Sequence, residues 1–282
     1  MSRKFALIGH PLGHSLSPLL HQRLFALSNR PGSYELTDLS PEDFSAPSTP
    51  ALLRELDGFN ITIPYKTDII PLLDGLDSDA AFYGAVNTVT NRDGKLTGSN
   101  TDVAGFVLAL AAAGAEADLA GRVCVVGVGG AGRTFALEAG RRGAAVTLAV
   151  RPSSLGRAEA LAAAMTAQGM EAHVAPAETL QGGWDLLANA SPAGMFPHVD
   201  AMAVPLSAFE NTRTVFDAVY NPAETLLLRT AAQKGCRCVG GMAMLAWQAA
   251  EAHRLWDGDT YTPQQMAGVI EDLYRALAPS QK

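Results

Sequence analysis

The chain has 282 residues, 48% hydrophobic and 17% charged, a globular composition with enough length for two domains. A formal net charge of −7 offers no electrostatic hold on nucleic acid or an anionic membrane, and no apolar run nears the ~20 residues of a membrane span. Three cysteines (Cys124, Cys236 and Cys238) are too sparse for a disulfide scaffold and point to a reducing, cytoplasmic setting.

Lys4 to Ile8 reads as a first strand. Gly9, His10 and Pro11 cut its apolar run short, so the N-terminus does not read as a secretory signal. The loop Gly9 to Pro18 opens a helix over Leu19 to Leu27, with Ser17 as N-cap and Pro18 at the first helical position. Tyr34 to Leu39 is a second strand, and a short helix follows the Pro/Ser-rich stretch Ser45 to Pro50. Gly58 to Ile63 is a strand stopped by Pro64, and Lys66 to Leu73 predicts a helix. Val86 to Arg92 and Lys95 to Ser99 form a hairpin around Asp93-Gly94.

A helix over Val103 to Gly114 leads into a second pattern. The apolar run Cys124-Val125-Val126 enters Gly127-Val128-Gly129-Gly130-Ala131-Gly132, a G-x-G-x-x-G loop, and a helical pattern (Thr134 to Arg142) leaves it. The first glycine allows the tight turn, the second lets a pyrophosphate approach bare backbone, and the third lets helix and strand pack closely. The helix N-terminus offers free N–H groups to phosphates. Ala145 to Val150 is the next strand, and Ala172 to Ala175, Leu186 to Ala190, Thr214 to Asp217 and Cys236 to Val239 continue a βαβ alternation. Two amphipathic helices end the chain. Met266, Val269, Ile270, Leu273 and Leu277 share one face of the last.

The expected fold is α/β with two domains. Residues 1–101 form an α/β substrate domain, residues 102–236 a Rossmann-type dinucleotide domain, and residues 237–282 helices that return to the first domain. No metal is expected. Cys236 and Cys238 lack a second ligand pair, and His10, His14 and His21 lack metal-ligand spacing.

Four polar clusters sit where α/β sheets build ligand crevices, at strand ends and helix starts. They are Gly9 to Pro18, Asn60-Ile61-Thr62-Ile63-Pro64-Tyr65-Lys66, Gly84-Ala85-Val86-Asn87-Thr88, and Asn100-Thr101-Asp102. Each residue also has a plainer use. Ser15 and Ser17 could cap a helix, Asn87 and Thr88 could make a turn, and Asp102 could cap the helix from Val103. Lys66 and Gln248 could simply face solvent.

Taken in order with the glycine loop, these clusters resemble shikimate dehydrogenase. Further matches are Asn189 to Met195, Asp217-Ala218-Val219-Tyr220-Asn221-Pro222, and Gly241-Met242-Ala243-Met244-Leu245 through Gln248. The similarity runs from about Ala6 to Gly258. It implies NADP-dependent interconversion of 3-dehydroshikimate and shikimate, a step towards chorismate and the aromatic amino acids. By resemblance, Ser15 and Ser17 hold the substrate carboxylate, Thr62, Asn87 and Gln248 bind the ring hydroxyls, and Tyr220 closes the site near the carboxylate. Lys66 and Asp102 form the catalytic pair. The cofactor would lie on Gly127, Gly129, Gly130, Ala131, Gly132, Arg151 and Gly241.

Those residue types suit the reaction. Hydride delivery to a ketone builds negative charge on its oxygen, and an ammonium can stabilise that charge and donate the proton. A lysine kept protonated is a poor base for alcohol oxidation at neutral pH, so shikimate oxidation is expected to speed up as pH rises. At the second strand's end, Val150-Arg151-Pro152 carries no acid for an NAD ribose, and an arginine there can pair with the extra phosphate of NADP. The family usually shows Asn-Arg-Thr at this point and a second arginine close behind; here only Arg151 of the three is kept, and Arg157 stands about two residues beyond the second arginine's usual place. The alternatives are a quinate/shikimate dehydrogenase of broader range and a non-catalytic ligand sensor. The protein is expected to act on a small molecule, as a monomer or homodimer, without nucleic-acid or membrane partners.

Overall fold

The computed structural model describes residues 3–13 and 15–277. His14 lies outside the described residues. The chain divides into two compact units, Met1–Asp102 with Ala246–Lys282, and Val103–Leu245.

The first unit begins with β1 (Arg3–Gly9), α1 (Ser17–Ser28), β2 (Gly32–Asp38), the short helices α2 (Pro41–Phe44) and α3 (Thr49–Arg54), and β3 (Gly58–Ile61). It continues with β4 (Gly75–Leu76), α4 (Ser78–Tyr83), β5 (Thr88–Arg92) and β6 (Lys95–Ser99). The strands form one mixed sheet in the order β2-β1-β3-β5-β6-β4. β1 pairs in parallel with β2 and β3, whereas β5 runs antiparallel to β3 and β6. The C-terminal ends of β1, β3 and β6 and the N-terminal end of β5 therefore share one sheet edge. All four polar clusters leave from that edge.

Side-chain alternation builds two cores on this sheet. From β1, Ala6 and Ile8 pack with Phe59, Phe44 and Leu53. Phe5 faces the other way, onto Phe25, Ala252 and Trp256. The β5–β6 hairpin turns at Asp93 (φ 54°) and Gly94 (φ 83°), the twist-matched geometry that Asp-Gly favours.

Two local expectations are corrected. Ser17 does not cap α1. Leu16 holds the cap position without a side-chain bond, and the Ser15 hydroxyl accepts the Ser17 amide at 3.2 Å. The serine two residues earlier thus satisfies an amide that the helix leaves unpaired. Lys66 to Leu73 is not an α-helix but a run of turns ending in a 3₁₀ segment, Ile70–Leu72. Pro71 has no amide hydrogen to extend an α ladder.

The second unit is a parallel sheet with covering helices. α5 (Asp102–Ala112) leads into β7 (Arg122–Val126), α6 (Gly130–Arg141), β8 (Ala145–Val150), α7 (Leu155–Ala167) and β9 (Ala172–Pro176). β10 (Leu186–Asn189), β11 (Thr214–Asp217), α8 (Leu226–Gln233) and β12 (Arg237–Gly240) follow. The order β12-β11-β10-β7-β8-β9 reverses direction between β7 and β10, which is a Rossmann switch point. Both faces are covered, hence the nearly unbroken apolar strands. Cys124, Leu187 and Val215 join one core, and Phe106, Phe135 and Phe216 form an aromatic cluster with centroids 4.0–5.6 Å apart.

The border expected at 236/237 moves to Leu245/Ala246. β12 pairs with β11 from Thr214↔Arg237 to Asp217↔Gly240, so sheet hydrogen bonds keep it with the second unit. α9 (Gly241–Asp257) passes from the second unit to the first, and α10 (Pro263–Leu277) lies wholly in the first. In α10, Met266, Val269 and Leu273 are buried, whereas Ile270 and Leu277 are half-buried.

A buried histidine pair ties α1 to α9. Tyr261 Oη donates to the Leu24 carbonyl (3.2 Å), which can only accept, so Tyr261 Oη accepts from His253 Nδ1 (3.0 Å). His253 Nε2 is then the acceptor for His21 Nδ1 at 3.0 Å. This chain sets both tautomers and leaves the buried His21 Nε2 as an unpaired acceptor. Both rings are buried neutral. Burial pushes His21 well below the ordinary histidine range and His253 down to about 3. Stability from this pair is therefore complete above the unfolded value of ~6.5 and falls as pH drops below it, by up to ~1.4 kcal/mol per pH unit for each proton that only the unfolded chain binds. Urea midpoints measured from pH 7.5 to 5 should decline through this window. A flat series would refute the neutral pair.

Candidate active site

At the shared edge of the first sheet, Lys66 follows β3 and Asp102 follows β6. Their side chains meet with Nζ to Oδ2 at 2.6 Å and are 16% and 8% exposed, too enclosed for a casual surface pair. Asn87, just before β5, donates through Nδ2 to the other oxygen, Asp102 Oδ1, at 3.0 Å. The same amide nitrogen reaches Gln248 Oε1 on α9 at 3.3 Å. Lys66, Asn87, Asp102 and Gln248, scattered over 183 positions of sequence, thus form one hydrogen-bonded group. Asp102 is the first residue of α5, but its carboxylate turns to Lys66 and Asn87, and the Asn100 side chain accepts the Asp102 amide at 3.1 Å.

Ser15 lies on the loop that leaves β1 at this edge, and Ser17 opens α1 at the end of that loop. Asp38, at the end of β2, braces that loop, with Oδ2 accepting the Leu12 amide (2.9 Å) and Oδ1 meeting His10 Nδ1 (2.6 Å). The Leu12 amide first, and His10 second, hold the Asp38 carboxyl below its usual range. Thr62 continues from β3, its amide donating to Ile8 O at 2.9 Å. Tyr220 belongs to the second unit, beyond β11, where burial pushes its phenol up.

In the second unit the cofactor-type residues all follow parallel strands and so gather at one sheet edge. Gly127 ends β7 at φ +91°, a backbone that favours glycine. A Cβ on Gly132 would stand 2.1 Å from the Gly127 carbonyl oxygen, so only glycine lets α6 start this close to β7. A Cβ on Gly129 would meet no protein atom within 4 Å, and no side chain caps α6 there. That leaves bare backbone and unpaired N–H groups, with Gly130 and Ala131 in the first turn, a set that fits a pyrophosphate. Arg151 follows β8, exposed, with no acid beside it in Val150-Arg151-Pro152. Arg157 is exposed and donates to Ser154 Oγ at 3.0 Å. Gly241 opens α9, where a Cβ would lie 2.4 Å from Ala218 O.

Several residues that shape these sites had no assigned role in the sequence. Asn60, Thr88 and Thr101 are buried beside Asn87. In the second unit, Asp217 accepts from Asn189 Nδ2 (2.9 Å), Thr225 Oγ1 (2.6 Å) and the Val219 amide (3.0 Å). Asn189 in turn accepts from Ser191 Oγ at 2.7 Å, which joins the ends of β10 and β11 to the turn beside Gly127. Burial pushes the Asp217 carboxyl up against the opposing pull of these donors. The available signal was a polar residue closing an apolar parallel strand, as in Leu186-Leu187-Ala188-Asn189 and Thr214-Val215-Phe216-Asp217.

Comparison with known proteins gives a consistent assignment. A family model of the shikimate dehydrogenase substrate binding domain matches residues 7–89. A shikimate dehydrogenase (NADP(+)) of Shouchella clausii is 36% identical over 92% of this chain and 94% of its own. The structure of shikimate 5-dehydrogenase from Thermus thermophilus, in complex with NADP(H) and shikimate, is 36% identical. It superposes with a TM-score of 0.85 over 96% of this chain and 99% of that one. A ligand-free 5-ketofructose reductase of a Gluconobacter strain is 27% identical, with a TM-score of 0.82 over 97% and 99% of the two chains. With identity above 30% along nearly its whole length, the chain belongs to the shikimate dehydrogenase family.

Proposed function

We propose that this protein catalyses the NADP-dependent, reversible reduction of 3-dehydroshikimate to shikimate. The observation that carries this reading is the Lys66–Asp102 pair, 2.6 Å apart and braced by Asn87, in a chain of this family. NADPH supplies the hydride when bound. Gly127, Gly129, Gly130, Ala131 and Gly132 take its pyrophosphate, Gly241 adds a further backbone contact, and Arg151 pairs with the phosphate that distinguishes NADP from NAD.

In the direction of reduction, the Lys66 ammonium faces the ketone oxygen and gives it a proton as negative charge develops there. The carbonyl becomes an alcohol, and Lys66 regains a proton from solvent. Asp102 holds the ammonium in place through Oδ2, while Asn87 fixes the carboxylate through Oδ1. Asn87, Gln248 and Thr62 orient the ring through its hydroxyls. Ser15 and Ser17 bind the substrate carboxylate, with Tyr220 as a further ligand. The reaction belongs to aromatic amino acid biosynthesis by way of chorismate. The protein works in the cytoplasm as a monomer or homodimer.

Reduced-cofactor absorbance in mixtures of shikimate or quinate with NADP or NAD tests this reading. Turnover confined to shikimate with NADP is expected. Comparable rates with quinate or NAD would place the protein in the broader-range branch. No shikimate turnover, with 5-ketofructose reduced instead, would overturn the substrate assignment.

Lys66→Ala should lower kcat by roughly 10²–10⁴ with little change in KM, the mark of an interaction made mainly in the transition state. Near wild-type turnover would remove Lys66 from the chemistry. Ser15→Ala and Ser17→Ala should act oppositely, raising KM for shikimate by about tenfold with kcat nearly preserved, as expected for a lost hydrogen bond to a charged group.

A further inference from the structure

A buried hydrogen-bond chain runs from Tyr34 on β2 to the Asn87 group, and its direction follows from which atoms can only accept. Asn60 Nδ2 donates to the backbone carbonyl of Asn87 at 3.2 Å. A carbonyl cannot donate, so this contact fixes the Asn60 amide and leaves its Oδ1 facing Tyr34. Tyr34 Oη must then donate to Asn60 Oδ1, at 2.8 Å. Burial pushes the Tyr34 phenol well above its ordinary value, so it keeps the proton it donates.

The second hydrogen of Asn60 Nδ2 goes to Thr88 Oγ1 at 2.9 Å. Thr88 Oγ1 in turn lies 3.0 Å from Thr101 Oγ1, a hydroxyl pair in which either partner can donate. Thr101 Oγ1 accepts from Asn87 Nδ2 at 3.0 Å. The Thr101 backbone amide donates to Asn87 Oδ1 at 2.6 Å, which prevents the Asn87 amide from flipping. Asn87 Nδ2 is thereby aimed at Asp102 Oδ1 (3.0 Å) and Gln248 Oε1 (3.3 Å). Donation runs one way from Tyr34 through Asn60 to Thr88, and the Asn87 amide meets the chain at Thr101 from the other side. Asn60, Thr88, Thr101 and Asn87 are each 5% exposed or less, so water cannot readily replace a missing partner.

The geometry points to Tyr34, Asn60 and Thr88 as positioning residues that hold the Asn87 backbone and Thr101 in place, and through them the placement of the Asn87 amide that decides which ring hydroxyls the site accepts. None of the three needs to touch the substrate. Removing one link would leave a buried polar group unpaired and let the Asn87 amide shift from the hydroxyl it meets, and a site built to pair a hydroxyl is sensitive to such a mismatch. This rests on the assignment of Asn87 and Gln248 to the ring hydroxyls made above.

The test compares Thr88→Val, which keeps the shape and removes the hydroxyl, with Thr88→Ser, which restores it. Shikimate oxidation with NADP and thermal melting are measured for both variants and the wild type. Thr88→Val should raise KM for shikimate about tenfold with kcat within about threefold, and Thr88→Ser should return both to within about twofold of wild type. Tyr34→Phe keeps the ring stacked on His21 (centroids 3.8 Å apart) and should raise KM in the same sense, which decides the matter if Thr88→Val does not fold. Unchanged KM in Thr88→Val and Tyr34→Phe, or equal impairment in Thr88→Ser and Thr88→Val, overturns the inference alone. A folded wild type that does not turn over shikimate overturns the functional reading and this inference with it.

Discussion

The first unit is organised around one constraint, a buried carboxylate that must be satisfied. Asp102 is 6% exposed, and an ionised group in that position is tolerated only with a countercharge and hydrogen bonds to its remaining lone pairs. Lys66 supplies the charge and Asn87 the hydrogen bond, one to each oxygen. Each of these residues then needs its own support. Lys66 is held through its backbone, whose carbonyl accepts the Val86 amide at 2.8 Å, and Asn87 is held by Thr101 and Asn60. The requirement to bury one charge thereby spreads to three loops and three strands, and holds them in a single arrangement. A group held this way is ordered in advance, which is what the proposed reaction asks of its donors.

The second unit solves a different problem by the same means. Two of its strands, β10 and β11, end on a polar residue after an apolar run, at the carboxyl edge of a parallel sheet where a crevice forms. Asn189 and Asp217 are adjacent in register, and their mutual hydrogen bond lets two buried polar side chains satisfy one another. Ser191 and Thr225 complete the set, so the turn packed against Gly127 is held by side chains rather than by loop backbone alone. Gly132 shows how narrow the tolerance is, since a single methyl would meet the Gly127 carbonyl well inside contact distance.

Both units place their functional groups at a sheet edge, yet the edges are built differently. In the second unit all six strands are parallel, so every strand delivers its C-terminal residue to the same side. In the first, the antiparallel β5 enters where β3 and β6 leave, and Asn87 therefore comes from the start of a strand while Lys66 and Asp102 come from the ends of others. The fold makes neighbours of residues whose sequence contexts differ.

Much of this was legible in the sequence, for physical reasons that can be named. The glycine loop between Val126 and Thr134 was readable because backbone geometry and close packing each demand a residue without a Cβ at a particular spacing. The Asp93-Gly94 hairpin was readable because two successive left-handed residues restrict the choice of side chains. Strand identities in the second unit followed from burial on both faces. Local signals failed where a distant partner competed. Asp102 looked like a helix cap until Lys66 and Asn87 took its carboxylate, whereas Ser17 lost that role because α1 begins one residue earlier, with Leu16 at the cap. What only the tertiary structure decided was direction and partnership. The direction of donation from Tyr34 through Asn60 to Thr88 and the tautomers of His21 and His253 depend on which acceptor faces which donor across the fold. So does the allegiance of β12, which its pairing with β11 decided. Composition and spacing specify which groups are present, but a hydrogen bond has a direction, and that is set only when the chain brings both ends together.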